Sequence, residues 1–213
     1  MTGNLGLHLR THHPARHPKA RIDALTDGIF AVAMTLLVLD LRLPEDFNPK
    51  SAPELTAALL ALWPRFVPYL SSFLVLGVRW LAGVGDREDA GPVSPAYARW
   101  WLLYLLLTTC IPFSTMVLGR YIAFAPAVWL YAINTLLLAV ISYRMLVIMP
   151  DTHSAPRLLE RKATTAALGI ASLAAMGWST VSAPHAMYSF LLILAGPLIA
   201  RGMRQRGMEK APE

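Results

Sequence analysis

Charge is scarce in this chain and cysteine almost absent. Asp, Glu, Lys and Arg make up 15% of the 213 residues against 55% hydrophobic ones, and mean hydropathy is +0.47. A soluble domain of this length cannot hide that much apolar surface, so the sequence predicts an all-α membrane protein. The single Cys110 lies in an apolar run; it excludes an intrachain disulfide and reads as packing. Convergent nucleophiles, bases and metal ligands are also lacking. His153 and His185 fall in expected loops, and no two catalytic groups share a face, so no enzyme, cofactor or metal site is expected. The remaining His residues, His8, His12, His13 and His17, stand in a polar segment broken by Pro14 and Pro18. That segment reads as a flexible basic tail over residues 1–20, without fixed geometry for a metal. It lacks the short apolar core and cleavage site of a signal peptide, so an uncleaved N-terminus is expected.

Lys and Arg outnumber Asp and Glu by 19 to 13, but they cluster between apolar runs and form no continuous stripe. Nucleic acid is therefore not an expected partner, whereas membrane lipids are. The apolar runs number six, at residues 22–43, 55–83, 97–118, 122–149, 163–181 and 186–200. A hydrocarbon core about 30 Å thick needs roughly 20 such residues per helix. Pro64, Arg65 and Pro68 interrupt the second run, whose first part is expected to be interfacial or kinked. The third carries no charge from Trp100 through Gly119. Pro112 should kink it, with Thr108, Ser114 or Thr115 taking up the freed carbonyl. The fifth is rich in Ala, Gly and Ser, which let helices approach closely, and Ser182 to His185 should form a tight turn before the short sixth. Threading six spans puts Arg42, Lys50, Arg65 and Arg120 on one side and the other fifteen basic residues on the opposite side. That bias predicts six transmembrane helices with both termini cytoplasmic, as one membrane domain over residues 21–202 followed by a short cytoplasmic tail at 203–213.

The first run, RIDALTDGIFAVAMTLLVLDLRLP, holds three acids that need explaining, Asp23, Asp27 and Asp40. At about 100° per residue, Leu36 lies near +40° and Leu39 near −20° from Val32, with Thr35 at the edge near −60°. These make one apolar stripe, and Asp23 and Asp27 point roughly 140° to 180° away from it. An acid at the centre of a membrane helix costs about 2.5 to 3.5 kcal/mol. Asp27 is therefore expected to act in an interhelical lock, helped by Thr26 and by Gly28, with Arg79 or Arg21 as partner; an ion or proton site is the alternative. On periodicity alone the stripe is either a pore lining or a buried interface.

The same residues resemble the first-helix signature of the transmembrane protein 175 family of potassium channels, in which an Arg is followed four residues later by Phe-Ser-Asp-Gly. Here Arg21 is followed by Leu25, Thr26, Asp27 and Gly28, with two conservative replacements. The resemblance extends to SSFLVLGVRW and IPFST. It departs at Gly83, where the family often carries His three residues after the Trp, so a lock using that His must be absent or rebuilt.

The resemblance implies a homotetramer of six-helix subunits in the cell membrane, with the first helix of each lining a central pore for potassium ions. Transport would be passive. No TVGYG filter occurs in the sequence; the resemblance instead implies constriction rings at Val32, Leu36 and Leu39, with Thr35 just below the second. Apolar rings can gate by dewetting. Arg21, Thr26, Asp27 and Gly28 would form the structural lock. Asp40 either draws cations to the outer mouth or is a solvated helix end. The alternative class is a secondary transporter, to which only the prolines at 68 and 112 point.

Overall fold

Residues 19–84, 94–148 and 155–194 are described by a computed structural model, and within them the chain forms helices and turns with no strand. Helix α1 (Lys19–Leu36) runs into a 3₁₀ turn, Leu37–Asp40. The tail assigned to 1–20 thus lies outside the described residues except for its last two, which are already helical. The first run also stops short of Leu43. Leu41 leaves the helical region with ψ at 68°, and Leu43 precedes Pro44, whose ring disfavours helical backbone in the residue before it.

The second run is two helices, α2 (Ala52–Leu60) and α3 (Trp63–Val84). Ser51 caps α2 by accepting from the Glu54 N–H, and the Glu54 carboxylate accepts from the Lys50 N–H at 2.8 Å, a reciprocal arrangement that starts a helix firmly. Pro64 has no N–H to return to Leu60, so the chain turns at Ala61 and Leu62 and starts again. None of the side chains of α2 is buried.

Helix α4 (Pro95–Arg120) is capped by Ser94, which accepts from the Tyr97 N–H at 3.2 Å. It runs unbroken through Pro112. The hydroxyls expected to relieve that proline go elsewhere: Thr108 donates to the Tyr104 carbonyl, and Ser114 and Thr115 both donate to the Ile111 carbonyl. Then follow α5 (Ala125–Ile148), α6 (Ala155–Ser179), α7 (Ala183–Ala186) and a 3₁₀ helix, Met187–Leu194. The tight turn between the last two runs is the helical turn α7, where Ser182 and His185 side chains meet at 2.7 Å.

Among the described residues, four segments are long and apolar enough to cross a membrane: Ala20–Asp40, Trp63–Gly83, Pro95–Arg120 and Ala125–Ile148. Helix α6 contains most of the fifth run but begins earlier, with Arg157, Glu160, Arg161 and Lys162 in its opening turns, which leaves its apolar portion shorter. The sixth run is described only as far as Leu194; its remainder and the 203–213 tail lie outside the described residues.

Helices α4, α5 and α6 pack side by side at the centre, and α1 leans on α4 and α3. Leu76, Leu105, Ile111, Leu118, Tyr131, Leu138 and Leu168 fill the core. Hydroxyl links cross it. Ser72 of α3 donates to Tyr131 of α5 at 3.0 Å and lies 2.7 Å from Thr115 of α4, while Thr135 of α5 meets Ser172 of α6 at 2.8 Å. Such bonds hold helices together where the apolar effect between them is weak. Tyr131→Phe is expected to lower stability by about 0.6 to 1.5 kcal/mol, read as a fall in the unfolding midpoint in detergent.

Candidate functional site

Among the described residues, helix α1 is fastened to the rest of the chain on one side. Phe30, Ala33 and Leu37 are buried, and the Phe30 ring sits 6.1 Å from that of Tyr104. Two indoles pin the N-terminal half. Trp101 of α4 donates to the Thr26 hydroxyl at 2.9 Å, which itself donates to the Ile22 carbonyl. Trp80 of α3 donates to the Asp27 carboxylate, also at 2.9 Å. At the other end Arg120 of α4 pairs with Asp40 at 3.1 Å.

Thr26 and Asp27 thus each accept a hydrogen bond from a tryptophan of another helix. Arg79 does not join Asp27: its Nε–H donates to the Tyr104 hydroxyl, and a terminal nitrogen donates to Ser142. Arg21 and Gly28 are exposed, and a Cβ at Gly28 would meet nothing within 4 Å. The close approach expected at Gly28 is therefore not made among the described residues. Gly83, where the resemblance expects His, also has open space around it; the two tryptophans supply the fastening. Trp80 lies inside the quoted stretch SSFLVLGVRW, and its indole N–H was the available signal.

The opposite face of α1 is largely exposed among the described residues. Val32 is 57% exposed, Leu36 45% and Leu39 64%, and Thr35 is exposed beside them. The Thr35 hydroxyl folds back on the carbonyls of Ala31 and Val32, which leaves its oxygen lone pairs facing outward. The 3₁₀ turn changes the geometry of the stripe. Each residue there advances about 120° instead of 100°, so Leu39 swings by roughly 60° and comes to stand over Leu36. The two leucines are aligned, and Val32 lies one turn below them.

Asp40 is not a bare acid. Its side chain is 12% exposed and bound to Arg120, and its Oδ2 would stand 3.2 Å from a Cβ placed at Gly119. Arg120 and the end of the first run share one side in the threading by basic residues, which was the legible hint of this pair.

Residues 21–112 match the family described as endosomal/lysosomal potassium channel TMEM175. A potassium channel of Chamaesiphon minutus is 32% identical over 153 residues, 70% of this chain and 73% of that protein. A potassium channel of Streptomyces collinus is 35% identical over 102 residues, 48% of each chain. The crystal structure of a lysosomal potassium-selective channel TMEM175 homolog from Chamaesiphon minutus superposes with a TM-score of 0.69 at 29% identity, covering 85% of this chain and 97% of that one.

Proposed function

The chain belongs to the TMEM175 family of potassium channels, and from that premise we propose that it conducts potassium ions passively through a pore formed by its first helices. Four copies close into a ring in the cell membrane, each a six-helix subunit with cytoplasmic termini. Val32, Leu36 and Leu39 form the constrictions, and Thr35 lies just below the middle one. The observation that carries this reading is the one-sided fastening of α1: pinned at Thr26, Asp27 and Asp40, buried along Phe30, Ala33 and Leu37, and bare along the stripe. A membrane protein that holds a helix firmly against its own bundle and leaves a narrow apolar row outward presents that row to other copies or to lipid. In a closed ring around an axis the row meets its own copies and narrows the passage, where water and ions withdraw unless it widens.

The bare Gly28 supports the same assembly, since a position without a side chain lets another copy come close. Asp40 serves as a strut that ties the outer end of α1 to α4, because Arg120 already compensates its charge. Pro68 and Pro112 both stand inside unbroken helices, so no specific observation favours a carrier with helices broken near the midplane.

Reconstitution into liposomes tests the proposal. Purified protein is expected to pass potassium down its gradient, without a coupled ion and with weak temperature dependence. Saturating or ion-coupled flux overturns the channel reading.

A further inference from the structure

One end of the bundle, where α1, α4 and α6 begin and α3 and α5 finish, gathers Arg21, Arg79, Arg99, Arg144, Arg161 and Lys162. Between the helices at this end lies a cavity of about 130 Å³, whose polar lining includes Asp23, Thr26, Arg79, Ser142, Arg161 and Thr165. A single water needs only about 15 Å³ of such space, so the cavity suits a group of several atoms. It sits away from the bare stripe of α1.

Two observations indicate what that group is. Arg79 is partly buried, and its partners are all neutral: the Tyr104 hydroxyl at 3.1 Å, the Ser142 hydroxyl, and the Tyr104 ring, whose centre is 5.2 Å from Cζ. Among the described residues no carboxylate pairs with it. A guanidinium carries five N–H groups, and these hydroxyls take two, leaving three for something in the cavity. A cation drawn out of water with no counter-charge is unfavourable, and an anion placed beside it offsets that cost. The second observation is Gly83, in the last turn of α3. It lines the cavity, and a Cβ there would meet nothing within 4 Å. Glycine weakens a helix interior, and no close backbone approach accounts for it here; what it leaves is room.

The walls narrow the chemistry. Among the described lining residues Arg161 adds a second guanidinium and Thr165 a hydroxyl, with Asp23 as the carboxylate. A tetrahedral oxyanion offers several acceptors to such a set of donors, and the planar guanidinium matches phosphate in particular. Trp80, Trp101 and Tyr97 also face the cavity, as aromatic residues do at the depth of lipid headgroups. We propose that this cavity binds a phosphate group, carried by an anionic lipid or free in solution, with Arg79 as its principal contact. Basic pockets between helices at a membrane surface are suited to this task.

Binding is read without ion flux, which keeps its failure separate from that of the channel reading. The unfolding midpoint of the full chain in neutral detergent is measured against inorganic phosphate and against short-chain phosphatidylglycerol, with sodium chloride and phosphatidylcholine as controls. The midpoint is expected to rise with the logarithm of ligand concentration for at least one of the two probes and not for its control. A rise with the lipid identifies a headgroup as the source; a rise with phosphate alone identifies a soluble anion. Arg79→Gln should need at least about tenfold more probe for the same rise, on the scale of a lost charge-assisted hydrogen bond. Gly83→Leu should do the same by filling the space, and it decides the matter alone if Arg79→Gln does not fold. The proposal is overturned if neither probe outperforms its control, or if a folded variant of either kind responds at wild-type concentrations.

Discussion

Leu36→Ser is expected to raise potassium leak through reconstituted protein by about tenfold or more. The change removes three carbon groups from each copy, and each is worth about 0.8 kcal/mol of aversion to water, or roughly 2 kcal/mol per subunit. A factor of ten in a rate or population corresponds to 1.4 kcal/mol, so the wetting of one ring exceeds that threshold even when only part of the free energy reaches the barrier. Leu36 is the right residue because the 3₁₀ turn places Leu39 directly over it, which makes these two the thickest stretch of the apolar row. Leu81 is the control. It is 64% exposed, more than Leu36, but it stands on α3 away from the stripe. Leu81→Ser should leave the leak unchanged. Equal flux from wild type and Leu36→Ser, with both proteins folded and inserted, removes the stripe from the pore.

The parts of this molecule that were legible in the sequence are those the membrane dictates. A span must be long, apolar and hydrogen-bonded within itself, so the first four runs and the positions of Thr26, Asp27 and the stripe could be read from length and from a period of 3.6. Where helices stop was less legible, because similar signals act differently by position. Pro64 ends a helix and starts another, while Pro112 stays inside one with its neighbouring hydroxyls bonded to Tyr104 and Ile111. The 3₁₀ turn at Leu37–Asp40 has no sequence mark distinct from an ordinary helix end, yet it realigns Leu39. Least legible were the partners. Asp27 meets Trp80, Thr26 meets Trp101 and Asp40 meets Arg120 across separations of 53, 75 and 80 residues. Charge alone suggested Arg79 or Arg21 for Asp27, but Arg79 is taken up by the Tyr104 and Ser142 hydroxyls, and the Trp80 indole N–H reaches the carboxylate from α3.

Asp27→Ala is expected to lower the yield of folded, assembled protein severalfold while leaving the ion preference of the surviving channels unchanged. The substitution takes away the acceptor of the Trp80 indole. A hydrogen bond to a charged group contributes about 1.5 to 3 kcal/mol, and because both side chains keep some solvent contact the lower end applies, near 1.5 kcal/mol, about a tenfold change in an equilibrium. Membrane proteins with small margins convert such a loss directly into missing material. The partner fixes the interpretation. Trp80→Phe should reproduce most of the defect, and the double variant should be little worse than either single one, since both remove the same contact. Asp27→Asn retains an acceptor oxygen and should recover much of the yield. Size-exclusion profiles of detergent extracts measure assembly, and bi-ionic flux in liposomes measures preference. Normal assembly of Asp27→Ala together with a sharp change in ion preference assigns Asp27 to the permeation path and dissolves its role as a fastener of the first helix.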